Sequence, residues 1–297
     1  MSNLESLFEW DADVGQLAQM RDRLQRLPRY PEAARRLAAN LLRDADEVPS
    51  LAAMLRDAGH NVAALSAIYL HASGEVSLQR LKTFIAGFGL VSPGRARSLL
   101  SYMRHLGYLE IDPAASSTRR ARYRVTPRFL ASYTRHEASL LDAICSLEPA
   151  VGLLLQNLSA PEVLAAVVTA QGDAFVAGSA QAGPYAAFYR VFLHRLAGIQ
   201  ILHGLVAQSE VFPPAGDVPF VFSETARRFK VSRAHVARIM KEAEIQGFLV
   251  LGPESLRFTE AGRASLDWLY ASRLCLHLGC AARVLKANPQ LVAATPA

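Results

Sequence analysis

The stretch VSRAHVARIMKEAEIQGFLVLGPESLRFTEAG, residues 231–262, reads as a helix, a stop and a hairpin in immediate succession. Ser232 stands where a helix N-cap is wanted, because its hydroxyl can accept from a backbone N–H that has no partner inside the helix. Val236, Ile239, Met240 and Ala243 then recur at helical spacing and define an apolar face. Gly247 follows, and glycine readily takes the left-handed conformation that closes a helix. Residues 248–251 (FLVL) suit a strand, 252–255 (GPES) a tight turn and 256–259 (LRFT) the return strand. A shorter helix capped by Ser223 is expected before this one, and a long helix from Glu260 to about Lys286 after it.

The same pattern occurs earlier in the chain. VSPGRARSLLSYMRHLGYLEI, residues 91–111, aligns with residues 231–251 at an offset of 140 without a gap. Few residues are identical, but the roles match: Ser92 with Ser232, Gly107 with Gly247, Tyr108 with Phe248. Ala96, Leu99, Leu100 and Met103 form the apolar face of the earlier copy. Upstream, a helix through Leu65, Ile68 and Tyr69 and another capped by Ser77 are expected. Strands are expected at 108–111 and 123–126, joined by a polar loop. Two copies of one supersecondary unit in one chain argue against a chance helical hairpin.

The faces opposite the apolar stripes carry the functional signal. The first shows Ser92, Arg95, Arg97, Ser98, Ser101 and Tyr102, and the second Ser232, Arg233, His235, Arg238 and Lys241. Arginine is suited to reading guanine O6 and N7 through two hydrogen bonds, and a helix entering the major groove contacts bases with its N-terminal turns. The loop between the first pair of strands adds Arg119, Arg120 and Arg122 among small polar residues, with Arg124 just beyond, a composition suited to phosphates or a narrow minor groove. Residues 77–128 hold ten Lys and Arg against two acids, a balance of +8, whereas residues 223–263 hold eight against five, a balance of +3. The whole chain is +6 over 297 residues.

Residues 61–128 and 186–286, through the two phrases quoted above, resemble the MarR-like winged helix-turn-helix regulators. That family usually carries one module per chain and pairs two chains. The resemblance therefore implies a fused pseudo-dimer that binds double-stranded DNA, with an unidentified small-molecule effector between scaffold and DNA-binding parts. The expected fold is mainly α with two small β-wings, tandem winged helix-turn-helix modules on a helical scaffold. The expected organisation is a helical scaffold at 1–60, a first module at 61–135, a helical linker at 136–210, a second module at 211–262, and a helix and tail at 263–297.

Other readings carry less weight. No Walker A, GxGxxG, HExxH or GxSxG motif occurs, so an enzyme and a cofactor are not expected. The three cysteines, Cys145, Cys275 and Cys280, give neither a disulfide framework nor a zinc spacing, and core packing is expected for Cys275 and Cys280. His194 and His203 are expected on one helix but on different faces. Phe188, Phe192, Leu196, Ile199, Leu202 and Val206 are expected to form one continuous buried stripe. No signal peptide or membrane span is expected, which points to the cytoplasm and association with the nucleoid. A replication initiator with tandem winged helices and a winged-helix protein-interaction factor are the alternatives. The operator, the sign of regulation and the oligomeric state, homodimer or single-chain pseudo-dimer, are not legible.

Overall fold

A computed structural model describes residues 3–11, 14–86, 91–114, 121–178 and 183–293. The protein is mainly helical, with two small three-stranded antiparallel sheets. Four helices open the chain: α1 (Asn3–Phe8), α2 (Leu17–Gln25), α3 (Tyr30–Glu47) and α4 (Pro49–Met54). Pro31 and Pro49 sit in the first turns of α3 and α4, where the missing N–H costs nothing.

The first repeated unit consists of α5 (Ala58–Ala72), β1 (Val76–Ser77), α6 (Leu78–Ala86), α7 (Pro93–His105), β2 (Leu109–Ile111) and β3 (Arg122–Val125). It continues into α8 (Pro127–Cys145). Three helices, α9 (Gly152–Asn157), α10 (Pro161–Val176) and α11 (Ala186–Phe192), lead to the second unit. That unit consists of α12 (Gly198–Gln208), β4 (Val218–Pro219), α13 (Phe222–Arg228), α14 (Arg233–Ile245), β5 (Leu249–Leu251) and β6 (Ser255–Phe258). It continues into α15 (Glu260–Ala287), and α16 (Pro289–Ala293) follows.

The two units share their order of elements, their sheet order and their internal bonding. The sheets run β1-β3-β2 and β4-β6-β5, with the last-formed strand in the middle each time. Helices α7 and α14 begin and end 140 residues apart. The Ser92 hydroxyl accepts from the Arg95 N–H and the Ser232 hydroxyl from the His235 N–H. Gly107 and Gly247 have φ of 71° and 74°, the left-handed geometry that ends a helix sharply. Tyr108 N–H donates to Met103 O and Phe248 N–H to Ala243 O, so both chains leave the helix along the same path. Beyond the hairpins, the Thr126 hydroxyl donates to Gly107 O and caps α8, while Thr259 does the same with Gly247 O and α15. These threonines are 133 residues apart, so the first hairpin is seven residues longer.

Apolar side chains of both units join one core cluster, in which Leu99, Leu100 and Met103 match Ile239, Met240 and Ala243. Tyr108 stacks on Phe129, and Phe248 meets Phe188 edge to face. Scaffold helix α3 packs against α8 and α12, while α10 packs against α5 and α15. Ion pairs Arg36–Asp142 and Arg135–Asp44 fasten α3 to α8.

Several expectations need correction. The first helix of unit one, expected through Leu65, Ile68 and Tyr69, begins as early as Ala58, because the Asp57 carboxylate caps it by accepting from the His60 N–H. Ser223 does not cap α13; the helix starts at Phe222 with no side-chain cap. Strands β1 and β4 were not expected, since two residues carry no periodicity. The stripe from Phe188 to Val206 is not one helix. It breaks at residues 193–197, where Ala197 has φ of 60°, and Leu196 is only half-buried in that turn. Gly198 permits the turn, since a Cβ there would lie 2.0 Å from Phe192 O. Consequently His194 lies in the turn, and His203 sits buried on α12, bonded to the Tyr270 hydroxyl at 2.6 Å. Counted from α5, the counterpart helix α12 starts 140 residues later, at Gly198, inside the segment read as linker.

Cys275 and Cys280 are buried in the core, and burial pushes both thiols up to about 12. Among the described residues no helix is long and apolar enough to cross a membrane.

Candidate nucleic-acid interface

Helices α7 and α14 present the predicted residues on faces turned away from the core. Arg97, Ser98 and Ser101 on α7 are exposed, as are Arg233, Arg238 and Lys241 on α14. Arg97, Arg233 and Arg238 form no ion pair or hydrogen bond with another described residue. Their guanidinium groups are therefore available to an outside acceptor. Ser98 and Arg238 occupy equivalent positions, as do Ser101 and Lys241.

The remaining predicted residues are engaged within the fold. Arg95 and His235 are equivalent in the repeat, and both point back toward the start of their unit's first helix. The Arg95 guanidinium donates to both Asp57 oxygens at 3.1 and 3.0 Å, and a Cβ on Gly59 would meet it at 3.0 Å. The His235 ring Nε2 lies 2.9 Å from Leu196 O. Burial pushes the Asp57 carboxyl up, but hydrogen bonds from His60 and the charge of Arg95 outweigh it and hold the group below its ordinary value. Tyr102 is half-buried, edge-on to His60 and stacked with His105. Ser92 and Ser232 spend their oxygens on helix caps. Lys241 pairs with Glu244 at 2.7 Å, and Glu244 also accepts from the Leu251 N–H, which ties α14 to β5.

The first hairpin departs most from a simple charge count, and Arg122, expected in its loop, opens β3 beside Arg124. Arg119 and Arg120 lie outside the described residues. Arg122 pairs with Glu75 at 2.8 Å and Arg124 with Glu110 at 2.7 Å. In the second unit Arg228 pairs with Asp46 of α3 and Arg257 with Asp217. Four of these acids, Asp57, Glu75, Asp46 and Asp217, lie outside the two charged segments in sequence. Counting them lowers the segment balances from +8 and +3 to +6 and +1. The acids were not picked out as functional from sequence. Only Asp57 had a local signal, as a helix cap three residues before His60.

Additional cations border this surface. Arg104 lies over the Tyr123 ring and Arg128 over the Tyr108 ring, both at 5.9 Å, and Arg80 on α6 is exposed. Among the described residues no group of His, Cys, Asp and Glu could hold a metal ion. No family model, characterised protein or solved structure matches the chain.

Proposed function

We propose that this protein is a sequence-specific double-stranded DNA-binding transcription regulator, built as two winged helix-turn-helix modules in one chain. The observation that carries the reading is the duplication itself. The order helix, strand, helix, helix, strand, strand recurs with equivalent caps and glycines, and each copy exposes unpaired arginine on its third helix. In this reading α7 and α14 enter successive major grooves, where Arg97, Arg233 and Arg238 reach bases or phosphates. The longer first hairpin is a wing whose Arg119 and Arg120 contact phosphates or the minor groove. Arg95 and His235 hold each recognition helix at a fixed angle and do not read bases.

The test is binding to random duplex DNA across a salt series. If five or more phosphates are neutralised, the log–log slope of affinity against salt is about −4 or steeper. A slope near zero, or no binding at low salt, defeats the proposal.

A further inference from the structure

Between the two units lies a cavity of about 40 Å³, lined by α3, α4, α5, α8, α12 and α15. Room for one water takes roughly 10–15 Å³, so the space suits about three water-sized groups. Its polar wall is unusual because it is incompletely satisfied. His136 is 4% exposed and its Nδ1 has no hydrogen-bond partner; Asp44 is 3% exposed and its Oδ2 has none. The other Asp44 oxygen accepts from Arg135 at 2.8 Å. Arg273, half-buried, also lines the cavity; the Glu137 carboxyl acts on it through space, but it forms no ion pair or hydrogen bond with another described residue. Buried polar groups are ordinarily paired, and a cation without a hydrogen-bonded partner in such a place is costly. Two such atoms beside a cation with no hydrogen-bonded partner indicate that something else completes them.

The groups differ in what they need. Arg273 offers N–H donors and a positive charge, so it suits a carboxylate. Asp44 Oδ2 offers only an acceptor, so it needs a donor. Burial drives the His136 ring well below its ordinary value, so it is neutral and can take either role. Gln200 is held in place by donating to Ala52 O at 3.2 Å. We propose that this cavity binds a small carboxylate carrying its own hydrogen-bond donor, a short hydroxy or amino acid. The carboxylate meets Arg273, and the hydroxyl or ammonium meets Asp44 and His136. The proposal does not depend on the DNA-binding reading, since it concerns a site between α5 and α12.

The experiment is thermal unfolding of the full chain without DNA, at constant ionic strength, with glycolate, glycine, acetate or chloride as probe. Glycolate, glycine or both should raise Tm by about 3 °C at roughly tenfold excess over Kd, by mass action on the folded state. Acetate and chloride should give less than a third of that rise. Ala52→Met fills the cavity while leaving every charged group in place, and it should abolish the rise without loss of fold. Arg273→Gln should abolish it too. No rise with any probe, an equal rise with acetate, or a rise that survives Ala52→Met overturns the proposal. Loss of duplex binding alone would leave it standing and would count only against the DNA reading.

Discussion

At the scale of single residues, exposure and pairing separate cations that the sequence treats alike. Arg97, Arg233 and Arg238 are unpaired on the surface, whereas Arg95 is spent on Asp57. Arg233→Ala should therefore weaken a preferred site by about 1–3 kcal/mol more than random duplex, with Tm unchanged. Arg95→Ala should instead lower stability by about 1–3 kcal/mol, because it removes charged hydrogen bonds from a buried carboxylate. Denaturant titration beside fluorescence anisotropy separates the two, and an Arg95→Ala protein of unchanged stability would contradict the positioning role. A second residue-level prediction concerns Glu137, which is 1% exposed, accepts from Gln171 at 2.6 Å and faces Tyr133, His277 and Arg273. Burial raises its carboxyl from 4.5 to about 7. A raised folded pKa means the group's stabilisation is present below about 4.5 and lost as pH climbs through about 7. Glu137→Gln should thus leave Tm little changed at pH 4.5 and raise it at pH 8. Burial depresses His277 to about 3, and also lowers His136 and His203. These rings lose stability as pH falls below about 6.5, in both the parent and the variant, so the difference between the two proteins isolates Glu137.

At the scale of elements, the caps are the devices that were repeated. Ser92 and Ser232 do the same job at the same helix position, as do Gly107 and Gly247. Ser92→Ala and Ser232→Ala should each cost about 0.5–2 kcal/mol. Gly107→Ala and Gly247→Ala should each cost about 1–2 kcal/mol, since an L side chain is strained at positive φ. Urea unfolding of the four variants checks this, and a cost confined to one copy would show that the two ends are not equivalent. Nothing lies within 4 Å of a Cβ at Gly247, and only the flexible end of Arg128 approaches one at Gly107, so the strain is backbone in origin.

At the scale of the whole molecule, both units share one core and one set of scaffold helices. The chain is thus able to present two equivalent helices without a partner chain. Under the proposed function one polypeptide covers both half-sites, so the site need not be a palindrome. Sedimentation of the complex on a duplex of about 25 base pairs, long enough for two half-sites one turn apart, should give one chain per duplex. Two chains per duplex at saturation would mean that each chain engages DNA through one unit only.

What the sequence determined by itself is the duplicated order of elements. Serine caps, terminating glycines and apolar spacing act within one or two helical turns, so residues 91–111 and 231–251 carry them in contiguous code. The tertiary structure decided what those elements face. The acids that neutralise Arg95, Arg257 and Arg228 are 38, 40 and 182 positions away, and no local window contains them. The break before Gly198 was equally hidden, because apolar spacing continues through it and the close approach to Phe192 O that glycine permits is visible only in the folded chain. The cavity between α5 and α12 exists only where six helices meet. Local propensity is written along the chain, whereas which cation stays free and which carboxylate oxygen stays without a donor depends on distances that only packing sets.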